Sequence, residues 1–357
     1  MEFDADGNRV EPPVEEGLKV RCDSFVVETD VHFPTDSSLL FDAVRKTIQA
    51  AVQLALLCSV CGWRQHHYIL RELKKSYRRA SKLKTSTSED EKKRAAREHE
   101  RKKAYLEYVL NAQEFLIRAK QTAEQVEQMG GNTPKMLKLI NQINHYGDYA
   151  LLFCNQIVRR VGREENIPHE EKVFSIFEPH TEWISKGKAG VAQELGLKVC
   201  IVEDQYQFIL HHRVMVKEGD EQIAVIMVDA SQQRFGPIQS ASFDKGFHSP
   251  ANQRDLAERV DQVVLPKKGK LSAADREREQ EASFTQARYQ HSAVESAINA
   301  LEQSGLDRCP DHGMGGFERY VALAVVARNL KRLGAVVRQQ QKEQDRRRAA
   351  AILCRAA

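Results

Sequence analysis

A chain of 357 residues, 41% of them hydrophobic, is long enough to bury one large α/β core with an insertion, or two modest domains. The longest apolar stretches, around Ala50 to Trp63 and Val321 to Ala327, fall short of the roughly 18 consecutive apolar residues that a spanning helix needs. Met1 to Glu16 mixes acids with Pro12 and Pro13 and offers no basic segment leading into an apolar one, so the expectation is a cytoplasmic protein without a membrane span. A formal net charge of +4 is too small to identify a nucleic-acid partner by itself, and the distribution of charge matters more.

The first predicted element is a strand from Leu18 to Asp30, rich in Val, Phe and Thr, with Asp23 embedded near its middle. His32 to Ser37 reads as a turn and helix start, with Thr35, Asp36 or Ser37 as the cap. From there to about Arg163 the pattern is helical. Cys58-Ser59-Val60-Cys61 has no second pair at zinc spacing, which favours two cysteines on an apolar helix. The seven cysteines, scattered from Cys22 to Cys354, predict reduced thiols. Lys84 to Lys103, dense in both signs of charge, reads as a solvated helical arm or, on its basic side, a surface for DNA.

Gly130 to Pro134 interrupts the helices, and Met136, Leu137, Leu139, Ile140 and Ile143 give the next one an apolar face. Strands are expected at Val173 to Phe177, Glu194 to Asp204 and Gln207 to Val216, the last two as a hairpin. A helix over Ile223 to Gln233 follows, then short strands at Ser240 to Phe243 and Val260 to Leu265. Two helices, Phe284 to Gln303 and Phe317 to Gln341, close the chain. That order predicts an α/β mixed sheet flanked by helices.

Three acids stand out by position: Asp23 inside the first strand, Asp244 at the end of a later one, and Glu295 on a helix. Metal-dependent cleavage of a phosphodiester needs such a set, because two divalent ions roughly 3.5 to 4 Å apart require oxygen ligands around them. Val294, Ala297, Ile298 and Leu301 form one apolar stripe, leaving Arg288, His291, Glu295 and Glu302 on a polar face. Spacing alone does not separate this from Glu295 being one more surface acid among 50 Asp and Glu. Neither a G-x-S-x-G elbow nor a P-loop is present.

CDSFVVETDVHFPTDSSLL, Cys22 to Leu40, resembles the first catalytic block of insertion-sequence transposases of the DDE superfamily, especially the ISNCY group. EPHTEWISKGKAG (Glu178 to Gly190), SFDKGFHSP (Ser242 to Pro250), RYQHSAVESAINALEQSGLDRC (Arg288 to Cys309) and GFERYVALAVVARNLKRLG (Gly316 to Gly334) agree with it in the same order. The resemblance implies an RNase H-like mixed sheet with a long all-helical insertion after the first strand. The expected divisions are 1–35, the N-terminal loop and first strand; 36–165, the helical insertion; 166–310, the rest of the catalytic core; and 311–357, a C-terminal helix and basic tail. It further implies a bacterial enzyme that nicks transposon ends and joins the freed 3′ hydroxyl to target DNA. Asp23, Asp244 and Glu295 would be the catalytic and metal-binding acids, Mg²⁺ the cofactor with Mn²⁺ substituting, and double-stranded DNA the partner of a homo-oligomer.

Within that frame Lys186 and Lys188 around Gly187, and Lys267, Lys268 and Lys270 around Gly269, are expected to touch phosphates. Each cluster could equally be a basic surface turn. His180 would orient DNA or a bound water and Trp183 would stack on a displaced base, although core packing accounts for both as well. Arg288 and His291 would hold a phosphate or flipped base. Where many relatives carry Tyr, Arg, Glu and Lys, this chain has Arg288, His291, Glu295 and Glu302, and Asp30 stands where Asn is the commoner residue. Relatives also place a helical DNA-recognition region before the first acid, so the alternative expectation is a truncated remnant acting as a non-specific nuclease or an interfering DNA-binding fragment.

Overall fold

A computed structural model describes residues 17–130, 133–185 and 193–356, with side chains to Ala349. Two compact units divide the chain: Val31–Pro179, and the segments on either side of it, up to Asp30 and from His180 onward.

The described part of Val31–Pro179 contains helices and loops only. Its four long helices are α1 (Asp36–Leu57), α2 (His66–Lys82), α3 (Glu91–Gln128) and α4 (Pro134–Ile157). Three of the four starts are capped by side chains, while α2 follows Gln65 without such a cap. Thr35 forms a capping box with Ser38, Asp90 accepts from two first-turn amides of α3, and Thr133 caps α4 with Pro134 in its first turn. The core joins Leu40, Ile48 and Leu54 to Tyr108, Ile143 and Phe153; of the expected apolar face of α4, Leu139, Ile140 and Ile143 are buried, Met136 is partly so and Leu137 is exposed. Two polar groups inside it are satisfied: the Tyr108 hydroxyl donates to the Ser37 carbonyl at 3.0 Å and the Trp63 indole to Thr122 at 2.9 Å.

The other unit is an α/β fold with a mixed seven-stranded sheet. Its strands are β1 (Leu18–Thr29), β2 (Glu182–Ser185), β3 (Gln193–Asp204), β4 (Ile209–Met215), β5 (Ile238–Phe243), β6 (Gln262–Val264) and β7 (Arg308–Cys309). β1 and β3 pair antiparallel at the centre, and β2 and β4 add antiparallel to β3. On its other edge β1 pairs parallel with β5 and β7, and β6 continues parallel beside β5. At Gly196 a side chain would strike the Val27 carbonyl, so only glycine lets β3 lie this close to β1.

Helices cover both sheet faces. Val20, Cys22, Cys200 and Phe243 pack on one side with α5 (Asp220–Phe235) and α6 (Pro250–Ala257). α7 (Ala273–Gln280) and α8 (Ala282–His291) follow. Phe25, Val27, Leu197 and Val199 pack on the opposite side with α9 (Ala293–Leu301) and α10 (Met314–Ala356). Among the described residues no helix is long and apolar enough to cross a membrane.

Three expectations are corrected. Val173 to Phe177 is not a strand, because the Ser175 hydroxyl accepts the amides of Phe177 and Glu178 and turns the chain. The helix expected over Phe284 to Gln303 breaks at Ser292, whose hydroxyl donates to the Tyr289 carbonyl at 2.8 Å. Cys58 and Cys61 lie just beyond the end of α1, Cys61 exposed.

Candidate active site

Alternation along β1 turns Cys22 toward α5 and turns Phe25 and Val27 toward α9; Asp23 shares the parity of the second set. Asp244 follows the last residue of β5. Because Cys22 is in register with Phe243, the last residue of that parallel neighbour, Asp244 leaves β5 next to Asp23. Glu295 stands in the first turn of α9, whose Val294, Ala297, Ile298 and Leu301 are buried as the predicted stripe requires. The three acids line one cavity of about 470 Å³, together with Asp220, Lys198 and Glu302.

Burial is the main reason the Asp23 carboxyl is pushed up to about 7, and the negative charges of Asp244, Asp220 and Glu295 push it in the same direction against a stabilising Ser24 amide. That amide donates to Asp23 at 2.7 Å. Asp220 is held differently. One of its oxygens pairs with the Lys198 ammonium at 2.8 Å and the other accepts from the Ser24 hydroxyl at 2.7 Å. On the flank, His291 is bonded through Nδ1 to the Ser242 hydroxyl at 3.0 Å. Burial lowers its imidazole to about 4, although Asp244 pulls the other way, so the ring is neutral at physiological pH.

The donor set fits a hard divalent cation in chemistry and in charge: all five carboxylates offer oxygen, and Lys198 offsets only Asp220. The coordination sphere itself is not gathered. Among the described residues no three His, Cys, Asp or Glu side chains stand close enough together to hold an ion, so the expected convergence extends to a shared cavity and electrostatic coupling but not to a metal-ready cluster.

The remaining expected residues are dispersed. Lys186 and Lys188 lie outside the described residues. His180 packs edge-on against Phe317 at 5.8 Å, and Trp183 sits within β2 opposite Leu195. Lys267 is ion-paired with Asp275, which is driven well below the usual carboxylate range by that pair and by Ser272. Lys268 and Lys270 are exposed. Arg288 lies 3.8 Å from Glu279, and the break at Ser292 separates its helix from that of Glu295, so the two do not share one helical face. Asp30 pairs with Arg308 and is absent from the cavity lining.

Sequence reading missed Asp220, Ser24 and Lys198. Asp220 precedes an apolar helix after a glycine, which is indistinguishable from an ordinary helix start. Lys198 did leave a signal, a lone cation between Leu197 and Val199 in an apolar strand. No protein-family model, curated protein or solved structure matches the chain.

Proposed function

We propose that this chain is a DDE transposase, which cleaves DNA at the ends of a mobile element and joins the freed 3′ hydroxyl to target DNA. The observation that carries the proposal is the single cavity lined by Asp23, Asp244 and Glu295, three acids drawn from β1, the end of β5 and α9. An RNase H-like core is supported by the antiparallel set β1, β3 and β4, continued by β5 and β6 in the direction of β1. The first acid then lies on the central strand and the last on a helix packed against it.

In this mechanism Asp23, Asp244 and Glu295 would be the residues to hold the ions, once their carboxylates draw closer than they stand in this structure. Mg²⁺ or Mn²⁺, when bound, supplies polarisation of the attacking oxygen and stabilisation of the leaving one. Lys198 anchors Asp220 at the cavity wall and places a positive charge there for a phosphate. Neutral His291 ties α8 to β5 through Ser242, two residues before Asp244, and so steadies that acid's strand without adding charge. A second copy of the chain is supported by Leu323, Val326, Leu330, Leu333 and Val337. These exposed residues on α10 alternate in steps of three and four, the spacing of a two-helix seam.

The test is divalent-dependent nicking of a labelled duplex carrying the element's terminal repeats, with Asp244→Ala and an unrelated duplex as controls. End-specific cleavage lost in the variant supports a transposase. Cleavage of either duplex, equally lost in the variant, marks a non-specific nuclease, and cleavage that survives Asp244→Ala removes the carboxylates from the mechanism.

A further inference from the structure

On the surface of α2, Arg71, Lys74, Lys75, Arg78, Arg79 and Lys82 are all exposed. At 3.6 residues per turn they fall within a stripe of roughly 140°, opposite the buried Ile69, Leu73 and Ala80. The stripe resolves into two rows in steps of four, 71–75–79 and 74–78–82, with about 6 Å of rise between neighbours in a row. Like charges at this spacing destabilise a helix, yet few acids offset them. Glu72 lies near Arg71 and Lys75, and Glu107 pairs with Arg79. Among the described residues Lys74, Arg78 and Lys82 have no acidic partner.

The first turns of α3, equally dense in charge, differ. Arg97 pairs with Glu100, Arg101 binds Glu98 through two nitrogens, and Lys102 reaches Glu164. Lys93 also lies near Asp90, so the cations there without an acidic partner among the described residues, Lys92, Arg94 and Lys103, do not line up in one row, whereas Lys74, Arg78 and Lys82 on α2 do. Tyr68, exposed on the same side of α2 with the Arg71 guanidinium over its ring at 5.2 Å, adds a flat surface beside the cations.

We propose that this face of α2 is a docking ridge for the phosphate backbone of double-stranded DNA. The choice of DNA over other polyanions rests on the transposase reading; the ridge itself rests on charge and geometry. Two rows of cations on a straight rod suit a regular line of phosphates, and such contacts fix a duplex in position without reading its sequence. The ridge therefore supplies general affinity, and end recognition must come from elsewhere.

The test is binding of a mixed-sequence duplex oligonucleotide to the full chain in chelator across a salt series, all proteins carrying Asp244→Ala so that no cleavage intervenes. Lys74→Gln, Arg78→Gln and Lys82→Gln together are expected to weaken binding at least about tenfold and to flatten the slope of log K against log salt by about 3. Arg97→Gln, Arg101→Gln and Lys102→Gln in α3, whose charges are already paired, are expected to change that slope by less than about 1. Circular dichroism should show both variants helical, since exposed like charges are being removed from α2. Wild-type affinity and slope in the α2 variant overturn the proposal, as does tighter binding of the unmutated ridge to phosphatidylserine vesicles than to duplex. Because binding is read without cleavage, loss of the ridge is distinguishable from a chain that binds DNA yet never cuts it.

Discussion

Asp23→Asn is expected to stabilise the protein at neutral and higher pH while abolishing its chemistry. The carboxyl is raised from its ordinary 3.8 to about 7, chiefly by burial and then by Asp244, Asp220 and Glu295. Between those two values the folded state holds a proton that the unfolded state has released. Stability therefore falls as pH rises across the window and stays low above it. Three units at 1.36 kcal/mol each give an upper figure of about 4 kcal/mol. Asparagine keeps an oxygen for the Ser24 amide and removes the charge.

In urea melts with chelator, the variant should be the more stable protein at about pH 8, by up to that amount, and the gap should close toward about pH 4. Added MgCl₂ should raise the midpoint of the wild type more than that of the variant, because the variant has lost one anionic oxygen ligand. A variant no more stable than wild type at the higher pH, with an unchanged pH slope, would refute the claim that desolvation and neighbouring acids raise the Asp23 carboxyl.

On the proposed mechanism, Glu295→Gln should reduce nicking by more than about 100-fold, whereas Lys198→Met, which frees the Asp220 charge at the cavity wall without removing one of the three acids, should reduce it about 10- to 100-fold; steady-state nicking assays give both numbers. His291→Gln should flatten the acid limb of stability: the folded imidazole is held near 4 and the unfolded one titrates at 6.5, so wild-type stability is lost as pH falls through that interval and the variant's is not. Gly196→Ala should cost about 1–3 kcal/mol in denaturant melts, because its new methyl meets the Val27 carbonyl. Leu330→Glu should shift sedimentation toward a slower species if α10 pairs with a second copy; equal sedimentation of variant and wild type removes the seam.

The strands at 18–30, 194–204 and 207–216 were legible because alternation and β-branched residues declare them, and so was the apolar stripe beneath Glu295. Val173 to Phe177 was not legible, since a serine hydroxyl that takes two amides looks like any serine in a β-rich run. The position of the site was half legible. An acid buried mid-strand is costly enough to draw notice, as at Asp23, but Asp220 pairs with Lys198 only after α5 and β3 meet. Pairings across the sheet come from tertiary structure, and local pattern holds no trace of them. The α2 ridge shows the reverse. Its cations are plain in the sequence, but only the facing of the helix shows that all six point outward.

β1 has consequences for how the chain is made. Its partners lie far downstream: Cys22 meets Cys200 across the sheet, 178 positions later, and β5 follows later still. During synthesis the helices of Val31–Pro179 emerge complete and can close around local contacts, while β1 waits ahead of them with both edges open. The strand that bears the first acid is thus the earliest made and among the last to be paired. Nascent chains stalled before β3 should be the aggregation-prone species, and the yield of active protein should depend on how quickly the ribosome passes that point.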